Sequence, residues 1–449
     1  MTSPDVLIVG GGIAGIAAAL RLAEQNVRVT LLETRRKLGG RATSFVDVRT
    51  GQMLDNCQHV TLGCCVNYLD FLGRLGALDL LEWHDEQYWI ERGGRTSIIR
   101  PGWLPAPLHF TGAMLGASFL SLGDIAQLAR IGGAMLRTDR TRHTGETFGA
   151  YLRAHGQSER LIRRFWSPVV VSACNLDVDK VAASSALHVF QDGFFAHAKA
   201  ASIGLSRVPL VQLYDRAESA IAAAGGTIRI SCGVDRIGPA SVVTSAGETL
   251  RAGAVICALP VERAREVIDP ASRDDRHVLM ERFEFSPILG VHLAFDRPVI
   301  STPHAVLVDA PTQWLFRKDA AGHHVHAVIS AADEWMGLSE TEIASRVCAD
   351  IKAYLPGSAP ATLLSARPVK EKRATFAPTP LVEQSRPSAI GNSGLILAGD
   401  YTATGWPATM EGAARSGYSA AAAVLGAPLD SLHAPALHAS RLVRLARGA

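Results

Sequence analysis

The sequence lacks most of what would mark a polyanion-binding module, a secreted scaffold or a membrane span. No stripe of Lys and Arg interleaved with aromatics occurs, and a formal charge of +3 is too small and too evenly spread to hold a nucleic acid. Nucleic acid is therefore set aside as a partner. The seven cysteines are an odd number without regular spacing, in a chain too large to need disulfide staples. Reduced thiols in a cytoplasm are the expectation, and there is no Cys-x-x-Cys redox pair. The start, Met1-Thr2-Ser3-Pro4-Asp5, has no basic stretch ahead of an apolar run and a small-residue cleavage site, so secretion is not expected. Internal repeats and low-complexity segments are also missing.

What is present is apolar bulk. With 449 residues, 48% hydrophobic and 19% charged, the chain can bury a large core as two domains or one elaborate one. Its strongest local signal lies near the start. Val6-Leu7-Ile8-Val9 reads as a buried parallel strand, Gly10 to Gly15 as a glycine turn, and Ile16 to Ala23 as a helix. Gly10 allows the tight turn, Gly12 lets the backbone approach a pyrophosphate, and Gly15 lets helix and strand pack closely. The helix start at Ile13 and Ala14 is then aimed at an anion. A second strand, Val27 to Leu32, ends at Glu33 and Thr34, where a carboxylate accepts hydrogen bonds from a ribose 2′-hydroxyl.

Beyond Glu33, the run Arg35-Arg36-Lys37-Leu38-Gly39-Gly40-Arg41 adds a glycine doublet flanked by arginine. It resembles the extended FAD fingerprint of the amine oxidase and carotenoid desaturase superfamily. There Gly39 and Gly40 give a second close approach to the cofactor and Arg41 offers a planar fork to a phosphate. The far end agrees: Ser393 to Gly399-Asp400 reads as a strand, followed by a helix over about 409–425. That turn presents Asp400 to a ribityl or phosphate-side hydroxyl, and the helix start at Ala408, Thr409 and Met410 to the electron-rich edge of a reduced flavin. The resemblance also places the backbone of Val234 against adenine. The expected fold is thus α/β, a discontinuous Rossmann-type FAD-binding domain over 1–62, 205–265 and 388–427, with an α+β substrate domain over 63–204 and 266–387 and a tail over 428–449. Strands are expected over 290–296 and 324–330, and a helix over 338–354.

Two segments bear on membranes. From Pro101 to Gly123 no charged residue occurs, yet Pro101, Pro105, Pro107 and scattered Gly leave too short an apolar core to span a bilayer. Three readings stay open: a monotopic contact with one leaflet, a greasy substrate tunnel, or a buried helical hairpin. The tail, Ser440 to Arg447, is short, basic and amphipathic, which suits either an anionic membrane surface or a frayed terminal helix. The expected location is cytoplasmic, with peripheral contact at the inner face of the cell membrane as the further option.

A closer resemblance rests on Asp55-Asn56-Cys57-Gln58-His59, Phe165-Trp166-Ser167-Pro168, Gln191-Asp192-Gly193-Phe194-Phe195, Val369 to Phe376, and Ala398 to Gly412 with its Gly-Trp-Pro-Ala-Thr run. Over about residues 5–425 the chain resembles the squalene-associated FAD-dependent desaturase-like family, the hydroxysqualene dehydroxylases. The resemblance implies reductive removal of a hydroxyl from hydroxysqualene, a hydrophobic isoprenoid, by hydride from reduced FAD in squalene and hopanoid biosynthesis. Such chemistry needs an acid at the leaving oxygen, aromatic faces beside an allylic cation, and exclusion of water. His59 and Asp55 follow the glycine doublet and are candidates to reach the flavin. His59 or Asp192 is expected as the acid, Asp192 through an apolar surround that keeps it protonated. Trp166, Phe194, Phe195, Tyr401 and Trp406 are candidate substrate-facing aromatics. Competing readings are an oxidative phytoene-type desaturase, a flavin amine oxidase, and a prenyl-protein escort that binds without redox work.

The stretch "LDNCQHVTLGCC", residues 54–65, invites a metal reading, but Cys57 and His59 lack the paired spacing of a closed tetrahedral site and Cys64 and Cys65 are adjacent. No metal is expected. In the resembling family the place of Cys57 is usually glycine, so a backbone with φ > 0 there would strain this residue.

Overall fold

The computed structural model describes residues 4–447. Met1 to Ser3 and the last two residues of the tail lie outside them. The apolar run Val6–Val9 has all four side chains buried because both faces of its sheet are covered. It is the centre of a five-stranded parallel sheet ordered Thr227–Arg229, Val29–Leu32, Val6–Val9, Ala254–Cys257, Ile396–Leu397. Three distant parts of the chain therefore build one sheet, and Gly10, Glu33, Pro260 and Gly399 all follow the carboxyl ends of its strands.

The first helix starts at Ile13, ahead of the expected Ile16, since Gly12 is itself the N-cap with an extended backbone. Every residue of Ile13–Ala23 except Arg21 is buried. A helix apolar all round needs cover on two sides. The sheet provides one and the helix Met410–Val424 the other, so closely that a Cβ on Gly417 would stand 2.3 Å from the Ala14 carbonyl oxygen. The strand expected over 393–400 shrinks to Ile396–Leu397, because positive-φ turns at Gly394 and Gly399 bracket it.

The second layer is a seven-stranded sheet ordered Leu363–Phe376, Phe285–Phe295, His324–Ser330, Trp314–Arg317, His304–Leu307, Gln87–Ile90, Thr96–Ile99. The strand expected over 324–330 is found there, whereas the one expected at 290 starts at Phe285, extended by its long antiparallel partner Leu363–Phe376. Its outer face, with Leu289, Val291, Ala327 and Ile329, packs with Ile343, Val347 and Ile351 of the helix Glu340–Tyr354. Ser339 and Glu342 form a capping box, which sets that start two residues later than expected. The opposite face carries His292, His326, Phe316 and Trp314. There Phe316 and Val328 pack on Cys57.

A third body is helical, with a core that includes Trp89, Phe119, Phe148, Trp166 and Phe190. A small sheet of Val60–Leu62, Ile203–Ser206 and Leu81–His84 crosses the expected divisions at 62/63 and 204/205 and stitches the layers together. Among the described residues no helix is long and apolar enough to cross a membrane. The uncharged segment 101–123 is not a buried hairpin either. It folds as a 3-10 turn, Leu108–Phe110, and a short α-helix, Thr111–Gly116, with His109, Phe110 and Phe119 buried while Trp103, Leu108, Leu115 and Leu122 stand exposed.

Candidate active site

The glycine turn is fixed by contact rather than by flexibility. Gly10 takes φ +114°, and a Cβ on Gly15 would lie 1.9 Å from the Gly10 carbonyl oxygen. Neither place admits a side chain. At Gly12 a Cβ would meet only the Gly40 Cα, at 3.8 Å, so the space in front of the helix stays open. No side chain caps that helix, which leaves the amides of its first turn, Ile13 and Ala14 among them, pointing at the opening. The doublet closes the other wall: the Gly39 amide donates to the Gly11 carbonyl at 2.9 Å. Glu33 is buried and accepts from the amides of Gly11 and Arg35, both at 2.7 Å, with exposed Thr34 next to it. Cys232 donates to the Glu33 carbonyl, which brings Val234 alongside that strand end. An open cleft of about 680 Å³ continues from here, lined by Arg35, Arg41, Asn56, Pro260, Glu262 and Lys372 among others. A glycine cradle, an uncapped helix start and a carboxylate at the second strand end fit FAD, with the pyrophosphate at Gly12 and a ribose at Glu33.

The far-end turn meets this cradle, with a correction. Arg41 is not free to fork a phosphate: its Nη2 donates to Asp400 Oδ1 at 2.6 Å and Nη1 to the Ala374 carbonyl at 3.2 Å. The pair joins two fingerprints across 359 residues and leaves the second carboxylate oxygen of Asp400 for a ligand hydroxyl. Arg386, which sequence reading missed, knits the same turn. Its buried guanidinium donates to the carbonyls of Asp400, Thr402 and Trp406 at 2.6–2.8 Å. It also pairs with Glu383 at 3.3 Å, but the carbonyl contacts that knit the turn leave no mark in the local pattern. At Ala408, Thr409 and Met410 a helix start is found where it is expected, with Thr409 as its N-cap. The Thr409 hydroxyl accepts from the Gly412 amide at 3.1 Å and so caps the helix itself. Glu411 in the first turn is fully buried and reaches Asn67 and the Tyr68 amide, docking a second helix start, and burial raises its pKa.

His59 is half-buried, and its Nδ1 lies 3.1 Å from the Cys57 carbonyl. A carbonyl only accepts, so Nδ1 carries the proton and Nε2 faces away from that anchor. Burial holds the His59 pKa below the ordinary histidine value, against the opposing pull of the Cys57 carbonyl and Asp55. Its surroundings include Lys318, whose Nζ donates to Gln58 Oε1 at 3.0 Å, and a stacked pair, His292 on His326, with ring centroids 3.9 Å apart. His326 is fully buried and burial keeps it neutral. Half-buried Val60, Leu205, Ile288 and Trp314 pack around Cys57 and make the wall apolar. The strand pattern gave His292 and His326 only as strand residues. The strand register sets His292 opposite His326, and His59 is among the groups whose charge acts on His326.

Other expected residues have different work. Asp55 Oδ1 accepts from Ser44 at 2.7 Å and from the Leu210 amide at 3.0 Å, so it ties three segments together rather than serving as an acid. Asp192 is not in an apolar surround: Arg140 stands 2.9 Å away, His188 3.2 Å and Arg447 3.7 Å. The carboxyl group is thus held among basic side chains rather than apolar ones. The neighbouring His188 is buried and pushed down to about 3. Trp166 is core, its indole donating to Gln157 at 3.1 Å. Tyr401 lies buried under Gly399 against Phe283. Phe194 and Phe195 pack at a tilt on Phe190 in the helical body, and both are half-buried. Trp406 is the exception. It is half-buried between His188, at 4.4 Å, and the Arg415 guanidinium, at 5.7 Å, where the far-end turn meets the helical body.

Cys57 lies outside the positive-φ residues, so cysteine sits where the resembling family has glycine without that strain. Burial pushes its thiol up to about 12, which makes it inert. Among the described residues no group of three or more His, Cys, Asp or Glu is arranged to hold a metal ion.

A parallel sheet with a glycine cradle at its carboxyl edge, joined to a second sheet that walls the cleft, defines a dinucleotide-dependent oxidoreductase. Residues 13–425 match the family described as flavin containing amine oxidoreductase, and the chain belongs to it. It is an FAD-dependent oxidoreductase. It is similar to the hydroxysqualene dehydroxylase of Sinorhizobium fredii, 28% identical over 93% of this chain and 97% of the relative. The protein of that name from Rhodopseudomonas palustris is 28% identical over 95% and 99%. A 15-cis-phytoene desaturase of Narcissus pseudonarcissus is 24% identical over 92% and 78%. Among solved structures a triple mutant of putrescine oxidase superposes with a TM-score of 0.73 at 16% identity, covering 94% of this chain and 99% of its own.

Proposed function

We propose that the protein converts hydroxysqualene to squalene by reductive dehydroxylation, on substrate drawn from a membrane. The reading is supported by end-to-end similarity to two proteins of that name, and the observation that carries it is His59, anchored at Nδ1 beside an apolar wall. Bound reduced FAD supplies the hydride. His59 supplies the proton: as imidazolium it keeps Nδ1–H on the Cys57 carbonyl and passes its Nε2 proton to the departing hydroxyl, which leaves as water. Burial favours the neutral imidazole left behind, so the environment that lowers the His59 pKa also drives this transfer. The apolar wall around Cys57 keeps out water that would recapture the allylic cation. Trp406 and the half-buried flanks of Phe194 and Phe195 are proposed to face the polyene.

The test is anaerobic mixing of dithionite-reduced holoenzyme with hydroxysqualene, following flavin absorbance and product together. Flavin reoxidation matched by squalene is the expected result. A flavin that stays reduced with no squalene formed defeats the assignment, and oxidised enzyme that desaturates phytoene instead establishes the oxidative reading.

A further inference from the structure

The uncharged segment and the tail are far apart in sequence but adjacent in the fold. Ser440 donates through its hydroxyl to the Ala106 carbonyl and through its amide to the Ala196 carbonyl, the latter at 3.1 Å. The tail helix Arg441–Arg447 then lies against the helix Leu122–Arg137, held by fully buried Val443. The neighbouring elements of this junction carry large exposed apolar side chains: Trp103 is 91% exposed, Leu122 80% and Leu445 65%, with Leu108, Leu115 and Leu442 also open. A soluble surface scatters such residues singly, and clustering them signals a partner.

Charge identifies the partner. The carboxylates around this face are already matched: Asp124 by Arg160, Glu86 by Arg100 and Glu91 by Arg164. Arg441 and Arg444, by contrast, are exposed and without a carboxylate partner among the described residues. The junction therefore combines exposed apolar side chains with unmatched positive charge. A second copy would bring no carboxylate from this face to Arg441 and Arg444, since those named above are already matched, whereas an anionic lipid leaflet satisfies both features. Tryptophan at the most exposed position suits the headgroup boundary.

We infer that Trp103, Leu108, Leu115 and Leu122, together with the tail helix carrying Arg441 and Arg444, form a monotopic docking face for an anionic bilayer. Neither part suffices alone, because the tail provides the charge and the segment most of the apolar depth. The inference takes its purpose, extraction of an isoprenoid from the leaflet, from the function proposed above, but its physics is independent of the reaction.

The test uses holoenzyme and two kinds of vesicle, phosphatidylglycerol with phosphatidylethanolamine, and phosphatidylcholine alone. Wild type is expected to sediment with the first and not the second. Arg441→Glu/Arg444→Glu is expected to weaken binding by roughly 30-fold or more, at about fivefold per lost arginine. Trp103→Ser/Leu122→Ser is expected to cost roughly tenfold or more for each apolar side chain removed. Turnover of detergent-dispersed hydroxysqualene should be unchanged in both variants, which also shows that they fold. Wild type that ignores anionic vesicles, or binds both kinds equally, overturns the inference. So does a wild-type dimer in light scattering that Trp103→Ser/Leu122→Ser converts to monomer. Vesicle binding without detergent turnover in wild type would instead count against the reaction and leave the docking face standing.

Discussion

The parallel sheet and the seven-stranded sheet build their candidate sites by different means. In the first, the backbone forms the cradle: a glycine turn with no room for a Cβ at Gly15, an uncapped helix start at Gly12, and a strand end at Glu33. Beside the second, side chains line the candidate site, and they come from afar: His59 from the residue before an early strand, His292 and His326 from paired strands, Lys318 from the loop between two strands. Backbone sites tolerate almost no substitution, while side-chain sites lose one function at a time. Substitutions therefore separate the two regions.

The largest effect is expected at Gly15. Gly15→Ala drives a Cβ into the Gly10 carbonyl, at a cost of about 3 kcal/mol or more. Purified protein should be colourless and should not take up FAD, as absorbance near the flavin bands would show. Next is Arg386→Ala, which strands buried carbonyls of Asp400, Thr402 and Trp406 together with Glu383. A loss of about 3–5 kcal/mol is expected in a denaturant melt. Both belong to the cofactor side and should remove stability and flavin together.

His59→Gln should behave differently: flavin spectrum and melting point unchanged, single-turnover rate down roughly 100- to 10,000-fold. For wild type the pH dependence has a definite sign. Because burial lowers the His59 pKa, the imidazolium is the minority form at neutral pH, and the rate should rise as pH falls toward that lowered value. A flat profile, or one that falls with acid while flavin stays bound, separates His59 from the proton transfer. Asp192→Asn is expected to have the smallest effect, with turnover within about tenfold of wild type and about 1 kcal/mol of stability lost from a half-exposed ion cluster. A loss as large as that of His59→Gln would return Asp192 to the chemistry.

The same contrast explains what the sequence could tell. Gly10, Gly12, Gly15 and Glu33 were legible because a strand, a turn and a helix in immediate succession state their own geometry. Asp400 was legible as a strand end, but its pairing with Arg41 was not, since that bond spans 359 residues. Trp166 and Tyr401 were read as substrate-facing because aromatic residues near a motif look alike in sequence, and only packing shows them to be core. Asp192 looked desolvated beside Phe194 and Phe195, yet Arg140 and Arg447 reach it from elements far along the chain. Arg386 gave no signal because a backbone-binding arginine has no pattern. The stretch "DNCQH" resolves likewise: Cys57 is an inert wall, and the histidine two residues on is the group whose free nitrogen remains.

The central claim is that hydride passes from the reduced cofactor to the carbon that loses the hydroxyl. It is tested most directly by running the anaerobic single turnover in D₂O, where the transferable position of reduced flavin exchanges for deuterium, and analysing the squalene by mass spectrometry. Squalene carrying a single deuterium at the former carbinol carbon, formed as the flavin reoxidises, is the predicted result. Unlabelled squalene, or a flavin that stays reduced while hydroxysqualene is recovered intact, would contradict it.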